Sequence, residues 1–452
     1  MSLRRSATRV QKATHNSGRC WCVLKRRQRG NVSKATKPSA GQLVPQQRSG
    51  SDTEQIGATT QSRDVSPASN PVEEPVVVRR EDSPEPSALA EWDRLVDTCP
   101  GTDVTQLSAW SRIRGLVGYR PTYLLAYRGN RLVGGALVLR RTLLRWIRIG
   151  YLPYGPLRAE GDSAPAAVSG AVVDELVALA GELTMMFVQP PEGATDVTDA
   201  LLARGFRVST AGIAPAGSYR VDLTPPIAEI RARFSKRLKS WTNRWESHGV
   251  TVRRGDERDL PLLCELMAHT AARHHFDPPS LDYVTTLYRE LAAGEHAALF
   301  IGQVHNKPVC ADVVTVVADM VRGRLGGFDG SGEASKLSVP AAVRWEILRW
   351  AKEHGHRWLD FGGLPEQMLY DMIDRGIHAS DEWPSAQRAK LAFNGTAFRY
   401  PTPVELIRPA VVRTGYDFAT RHRIGQRALA LARNTLRGNR TAYHSGPRQA
   451  ME

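Results

Sequence analysis

The sequence predicts an α/β protein with two similar mixed-sheet units behind a basic N-terminal tail. Three observations carry this. Strand and helix patterns alternate from residue 87 onward, the order of elements recurs after residue 222, and nearly all of the net charge lies before residue 51. The chain has 452 residues, which at roughly 100–200 residues per domain implies two domains with additional segments.

The charge separates tail from fold. Net charge is +15, yet residues 1–50 hold twelve Lys or Arg and no acid, leaving 49 basic against 46 acidic groups elsewhere. Residues 1–86 are rich in Ser, Arg, Pro, Gln and Gly without sustained periodicity, and are predicted to be a disordered basic tail. Such a tail suits contact with nucleic acid or anionic lipid, or is simply a solvated extension. Residues 441–452 are predicted to be disordered as well. No apolar run reaches about 18 residues and the N-terminus lacks an apolar secretory core, so a cytoplasmic location is expected. Peripheral contact at the inner face of the membrane is a further option. The five cysteines (Cys20, Cys22, Cys99, Cys264, Cys310) are scattered and odd in number, with no disulfide framework or zinc spacing.

The first unit is placed at 87–222. Leu89, Trp92, Leu95 and Val96 share a helix face. Pro121–Tyr127 and Leu132–Leu139 read as strands around the turn signal Arg128-Gly129-Asn130. Arg148–Pro153 and Thr184–Val188 are further strands, and Val168–Ala180 and Thr195–Ala203 are helices. The second unit is placed at 223–400. It opens with a long helix, Ile227–His248, in which Ile230, Phe234, Leu238, Trp241 and Trp245 form the apolar stripe. Helices at 259–273 and 280–292 follow. Ala297–Val304, Pro308–Val317 and Met320–Gly327 then form a meander, followed by a helix at Val339–His354 and a strand at Arg357–Phe361. A segment at 401–440 closes the chain as a basic helix, roughly 415–437, packing back on both units.

Several constellations are set aside. No GxSxG, HExxH or GxxxxGK[ST] pattern occurs. His269, His274 and His275 cluster without a carboxylate at ligand spacing, so no metal site is expected. Arg131-Leu132-Val133-Gly134-Gly135-Ala136 matches an acetyl-CoA loop formally. It follows a hairpin turn and runs into a strand, whereas a pyrophosphate cradle needs a strand-to-helix turn. The long helix carries Arg231, Arg233, Lys236, Arg237, Lys239 and Arg244 against Glu229 and Glu246. Those cations suit phosphate contacts, or form a solvated face.

Six segments occur in an order that carries a resemblance. They are Gln106-Leu107-Ser108-Ala109-Trp110, Pro153-Tyr154-Gly155-Pro156, Thr270-Ala271-Ala272-Arg273 with Tyr283, and Asp329-Gly330-Ser331-Gly332 before Trp345-Glu346-Ile347-Leu348-Arg349-Trp350-Ala351. Asp360-Phe361-Gly362-Gly363 and Lys390-Leu391-Ala392-Phe393-Asn394-Gly395 complete the set. Together they span about 290 residues and resemble the FemABX peptidyltransferases. The resemblance implies two GNAT-like acyltransferase domains with a cleft at their junction. It also implies transfer of an amino acid from aminoacyl-tRNA to an amine of a lipid-linked or nucleotide-linked muropeptide, in peptidoglycan cross-bridge formation. No cofactor is implied beyond aminoacyl-tRNA as co-substrate, and a monomer is expected.

By position, Lys390 corresponds to the catalytic lysine. Arg114, Tyr154, Arg273, Tyr283, Phe328 and Ser331 correspond to substrate-binding positions. Arg233, Lys236, Arg237 and Lys239 are the expected tRNA contacts. Ala389, Tyr154 and Phe328 depart from the commoner residues, so three alternatives stay open. These are an aminoacyl-tRNA-dependent amide ligase making a natural product, an acyl-CoA-dependent N-acyltransferase, and a non-catalytic protein that binds precursor or RNA.

Overall fold

The computed structural model describes residues 74–437, apart from His275 and Ser331. Most of the tail, residues 441–452, Cys20 and Cys22 therefore lie outside the described residues. All of the described chain belongs to one contact unit, residues 71–452.

The strands in chain order are β1 (Val76–Glu81), β2 (Arg120–Arg128), β3 (Arg131–Leu143), β4 (Ile147–Pro153), β5 (Leu157–Arg158), β6 (Met185–Gln189), β7 (Arg207–Val208) and β8 (Gly217–Asp222). They continue with β9 (Val250–Gly255), β10 (Ala297–Val304), β11 (Lys307–Val317), β12 (Met320–Phe328), β13 (Trp358–Gly363), β14 (Thr396–Arg399) and β15 (Val404–Ile407). The first sheet has the order β1-β2-β3-β4-β6-β15-β7, with β5 added to β3, and the second β14-β8-β13-β12-β11-β10-β9. Each contains an antiparallel meander followed by one parallel pair, β4 with β6 and β12 with β13. A parallel neighbour needs a crossover, supplied by the helices Pro165–Gly181 and Val339–Glu353. The recurrence of element order read from the sequence is thus a recurrence of topology.

Each crossover helix buries one face on its own sheet. Val168, Val172, Val173, Leu176 and Leu179 do so in the first unit, and Val339, Val343, Ile347 and Leu348 in the second. A third cluster joins the units. Trp92, Trp110 and Ile113 pack in one continuous core with Leu263, Leu266, Met267, Val284 and Leu287. Burial on this scale, at about 1.5–3 kcal/mol per large apolar side chain, holds the units together as one body.

Four expectations change. The tail does not extend to residue 86, because β1 pairs along β2 from Val76 opposite Arg128 to Glu81 opposite Tyr123. Its alternating pattern is only six residues long, which hid it. The long helix breaks into Ile227–Arg233 and Lys236–Thr242, with a short 3₁₀ turn at Glu246–His248. Phe234 leaves helical geometry so that its ring can pack edge-on to Trp345 at 5.4 Å and Phe393 at 5.2 Å. Ser235 then caps the next helix by accepting from the Leu238 N–H. The unit boundaries interleave: β8 lies in the second sheet, while β15, from the closing segment, completes the first. The closing helix is two helices, Ala410–Arg421 and Arg423–Arg437.

The acetyl-CoA-like hexapeptide lies inside β3. A Cβ on Gly134 would stand 2.6 Å from the Val168 side chain and 2.7 Å from the Leu157 carbonyl oxygen, so that glycine serves close packing.

A chain beginning at Pro84 loses β1 and the Arg80–Glu182 ion pair and leaves β2 as an open edge. Its melting temperature is expected to fall and aggregation to rise. A chain beginning at Glu74 is expected to melt like the full-length protein. Equal melting of all three would contradict a structural role for β1.

Candidate functional site

The site begins where β12 and β13 part. They pair in parallel from Met320 with Trp358 to Arg322 with Asp360 and then diverge. A cavity of about 180 Å³ opens at the split, lined by Asp312, Arg324, Arg344, Asp360 and Phe361 among others. The first sheet has no such gap between its parallel strands, where pairing continues to Pro153 with Gln189. Between β3 and β4 the Gln106 side chain fills the space. Its amide donates to the carbonyls of Pro153 at 2.6 Å and Leu137 at 3.3 Å and accepts from the Leu137 N–H at 2.9 Å.

Asp360 organises the floor of the cavity. It is fully buried, and Oδ1 accepts from Ser218 at 2.5 Å and from the Gly362 N–H at 2.7 Å. Oδ2 accepts from Arg322 Nε at 3.2 Å and from the Tyr400 hydroxyl at 3.3 Å. Arg322 continues to Asp103 of the first unit, which also holds Arg324 at 2.7 Å. Arg220 adds a bond to Glu192 at 2.6 Å. Burial alone would raise the Asp103 pKa; Arg324 and Arg322 more than offset this and hold it well below the usual carboxylate range.

Lys390 lies in the last turn of the helix Ser385–Leu391 and reaches the Gly362–Gly363 turn. Its ammonium donates to the carbonyls of Gly362 at 3.1 Å and Gly363 at 3.0 Å. Burial, with help from nearby Arg344, lowers its pKa to about 8, and Asp360 opposes the shift. Asp312 is a carboxylate whose pKa burial raises, with Arg344 opposing.

The other expected residues are spread more widely. Tyr154 lies in the charged cluster, with its ring edge-on to Tyr400 at 5.3 Å and beneath Arg322 at 5.3 Å. It is buried there. Arg114 is buried under the last helix, donating to the Leu436 carbonyl at 2.5 Å and lying over Tyr119. Arg273 clamps backbone, donating to the carbonyls of Phe328 at 2.5 Å and Asp329 at 2.7 Å. It presses on Gly330 so closely that a Cβ there would meet its guanidinium at 1.2 Å. Tyr283 and Phe328 are half-buried packing groups. Ser331 lies outside the described residues. Arg233, Lys236 and Arg237 are exposed, whereas Lys239 spends its ammonium on the Ala232 carbonyl across the helix break, at 2.9 Å.

Residues 232–370 match the family model described as an acetyltransferase (GNAT) domain. The chain is 24% identical over 239 residues to a lipid II:glycine glycyltransferase of Staphylococcus aureus (strain MRSA252), covering 49% of this chain and 55% of that protein. A lipid II:glycine glycyltransferase of Staphylococcus haemolyticus (strain JCSC1435) is 24% identical over 234 residues, covering 49% and 56%. The chain thus spans about half the length of the curated relatives it matches. The crystal structure of FemX superposes with a TM-score of 0.63 at 16% identity, covering 74% of this chain and 99% of FemX. The chain therefore shares the fold of FemX. Its fold is the tandem GNAT-like arrangement that the resemblance implied.

Within this fold, sequence reasoning missed Asp312, Arg324, Arg344 and the Asp103–Arg322 link. A signal existed for some of them. Asp312 interrupts an otherwise apolar buried strand, and Arg322 and Arg324 alternate on one face of β12. Arg344 resembles any other cation on an amphipathic helix.

Asp103→Asn should destabilise the protein by about 3–5 kcal/mol at pH 7, the usual consequence of leaving buried cations uncompensated. The folded-state pKa of Asp103 is depressed, so its contribution is present above the unfolded value of about 3.9 and is lost as pH falls further. Denaturant unfolding should show the wild-type advantage at pH 7 shrinking below about pH 4. A difference that does not change with pH would contradict the assignment.

Proposed function

We propose that the chain transfers an aminoacyl group from aminoacyl-tRNA to an amine of a peptidoglycan precursor, as in cross-bridge formation. The observation that carries this is Lys390, an ammonium fixed by two carbonyls at the end of β13 beside a charged cavity. The likeness to lipid II:glycine glycyltransferases supports a precursor as acceptor.

An aminoacyl ester is already activated, so no protein nucleophile is required. The acceptor ammonium must lose one proton before its nitrogen attacks the ester carbon, and Asp312, a stronger base than an ordinary carboxylate, suits that role. The carbon–nitrogen bond forms, the carbonyl electrons move to oxygen, and Lys390 stabilises that oxyanion. The carbon–oxygen bond to the ribose then breaks, and the ribose oxygen takes the second nitrogen proton. Amide, free tRNA and one released proton result. The exposed Arg233, Lys236 and Arg237 suit the phosphates of the RNA. No cofactor enters this reading.

The GNAT match keeps an acyl-CoA donor as the second reading. Against it, the helix that follows the split begins with Ser338 at φ 56° and carries Pro340 in its first turn. Proline removes one of the N–H groups that would cradle a pyrophosphate.

Lys390→Ala should lower single-turnover transfer from charged tRNA about 10²–10³-fold, on the order of 3–4 kcal/mol. Because the lysine is charged below about pH 8, the wild-type rate should fall above that pH. Lys390→Arg should restore part of the rate and abolish that alkaline limb, since arginine stays charged. Folding lowers this pKa, so the fold disfavours the charged lysine below about pH 8 and the penalty fades toward the unfolded value. Lys390→Met should therefore leave the melting temperature at pH 7 unchanged or raised. Near wild-type transfer by Lys390→Ala would end the assignment.

A further inference from the structure

The chain carries an unusual surface away from the split. The β3–β4 hairpin ends in Leu144-Arg145-Trp146, with Leu144 76% and Trp146 60% exposed. Leu144 and Arg145 have φ of 49° and 66°, a region where turns ordinarily use Gly or Asn. A bulky apolar residue therefore occupies a strained position at a solvent-facing tip, and strain of this kind collects at functional surfaces.

The start of the C-terminal helical pair lies beside that tip. Thr184 stitches the two together. Its hydroxyl accepts from the Arg148 N–H at 3.0 Å and donates to the Trp146 carbonyl at 3.3 Å, while its carbonyl accepts from the Arg408 N–H at 2.8 Å. Trp146, Thr184, Pro409, Val411 and Val412 line one open groove. The helix 410–421 then presents Val411 and Phe418, one heptad apart, at 75% and 64% exposure. Helix 423–437 presents Ile424 and Leu431 in the same way, at 84% and 44%. The two helices meet closely, with Gly425 against Ala419.

Charge accompanies the apolar groups. Residues 408–437 contain seven arginines and one acid. That acid, Asp417, is held by Arg207 at 2.6 Å. Arg145, Arg148, Arg408, Arg413, Arg421, Arg423 and Arg427 are all exposed.

We propose that the Leu144–Trp146 tip and the 410–437 helical pair form a docking surface for an anionic lipid bilayer. Basic amphipathic helices with exposed aromatic and aliphatic groups bind such interfaces through both buried area and charge. Protruding Leu, Trp, Phe and Ile distinguish the surface from a phosphate-tracking RNA face, which uses cations with stacking groups in a groove. Among the described residues no helix is long and apolar enough to cross a membrane, so the contact is interfacial. It does not depend on the proposed transfer reaction.

Flotation of the full chain with vesicles tests this without any substrate. Vesicles of one part phosphatidylglycerol to three of phosphatidylcholine should carry the protein upward, and phosphatidylcholine alone should not. Leu144→Ser, Trp146→Ser and Val411→Ser together should lower the partition coefficient at least about tenfold. Arg413→Gln, Arg421→Gln, Arg423→Gln and Arg427→Gln together should lower it on the order of a hundredfold at low salt. Circular dichroism and melting should match the parent. Parent protein that stays unbound, or variants that float equally well, would overturn the proposal. So would a parent that fails to float while the apolar variant converts a dimer to monomer in sedimentation, which assigns the face to a second copy. Failure to float with loss of tRNA binding in the arginine variant would assign it to RNA.

Discussion

The structure depends on the carboxylate of Asp360. It sits fully buried at the last paired position before β12 and β13 separate. One oxygen fixes the turn at Gly362, whose carbonyl, with that of Gly363, holds Lys390. The other meets Arg322, which passes the contact to Asp103 in the first unit. One anion therefore sets the end of the split, the place of the ammonium and the link between the units. Buried ion networks are weak as a source of stability, because desolvation offsets much of the attraction. Their value here is geometric. The apolar core around Trp92, Trp110, Leu266 and Leu287 supplies cohesion, and the charges fix the register.

The two units use the same topology to opposite ends. In the second, the parallel strands part and leave a charged cavity. In the first, the corresponding strands β4 and β6 stay paired to Pro153 with Gln189, and Gln106 bridges β3 and β4 instead. The acetyl-CoA-like hexapeptide is part of β3, where Gly134 serves close packing.

Much of the fold was legible because long amphipathic elements announce themselves. The helix Thr195–Ala203 and the strand Ala297–Val304 were read to the residue. The failures share a cause, which is that tertiary contact overrode local pattern. β1, β14 and β15 are four to six residues long and gain their pairing from strands far away in sequence. The helix at 227–248 broke because Phe234 gains more from two aromatic neighbours than the backbone loses at one turn. For the proposed site, Lys390 is singled out in the sequence only through the order of weak motifs. Its partners are backbone carbonyls, which leave no trace in side-chain identity. Asp103 and Arg322 are more than two hundred residues apart, so no local window contains both.

The central proposal is that this tandem fold performs amide formation from an activated ester carried by RNA. Incubation with a pool of charged tRNA and a lipid-linked muropeptide, read by mass spectrometry, tests it most directly. The account predicts an acceptor heavier by one amino-acid residue, a product that disappears after ribonuclease treatment and is indifferent to acetyl-CoA. Acceptor modified by acetyl-CoA in the absence of RNA, with no gain from charged tRNA, would contradict it.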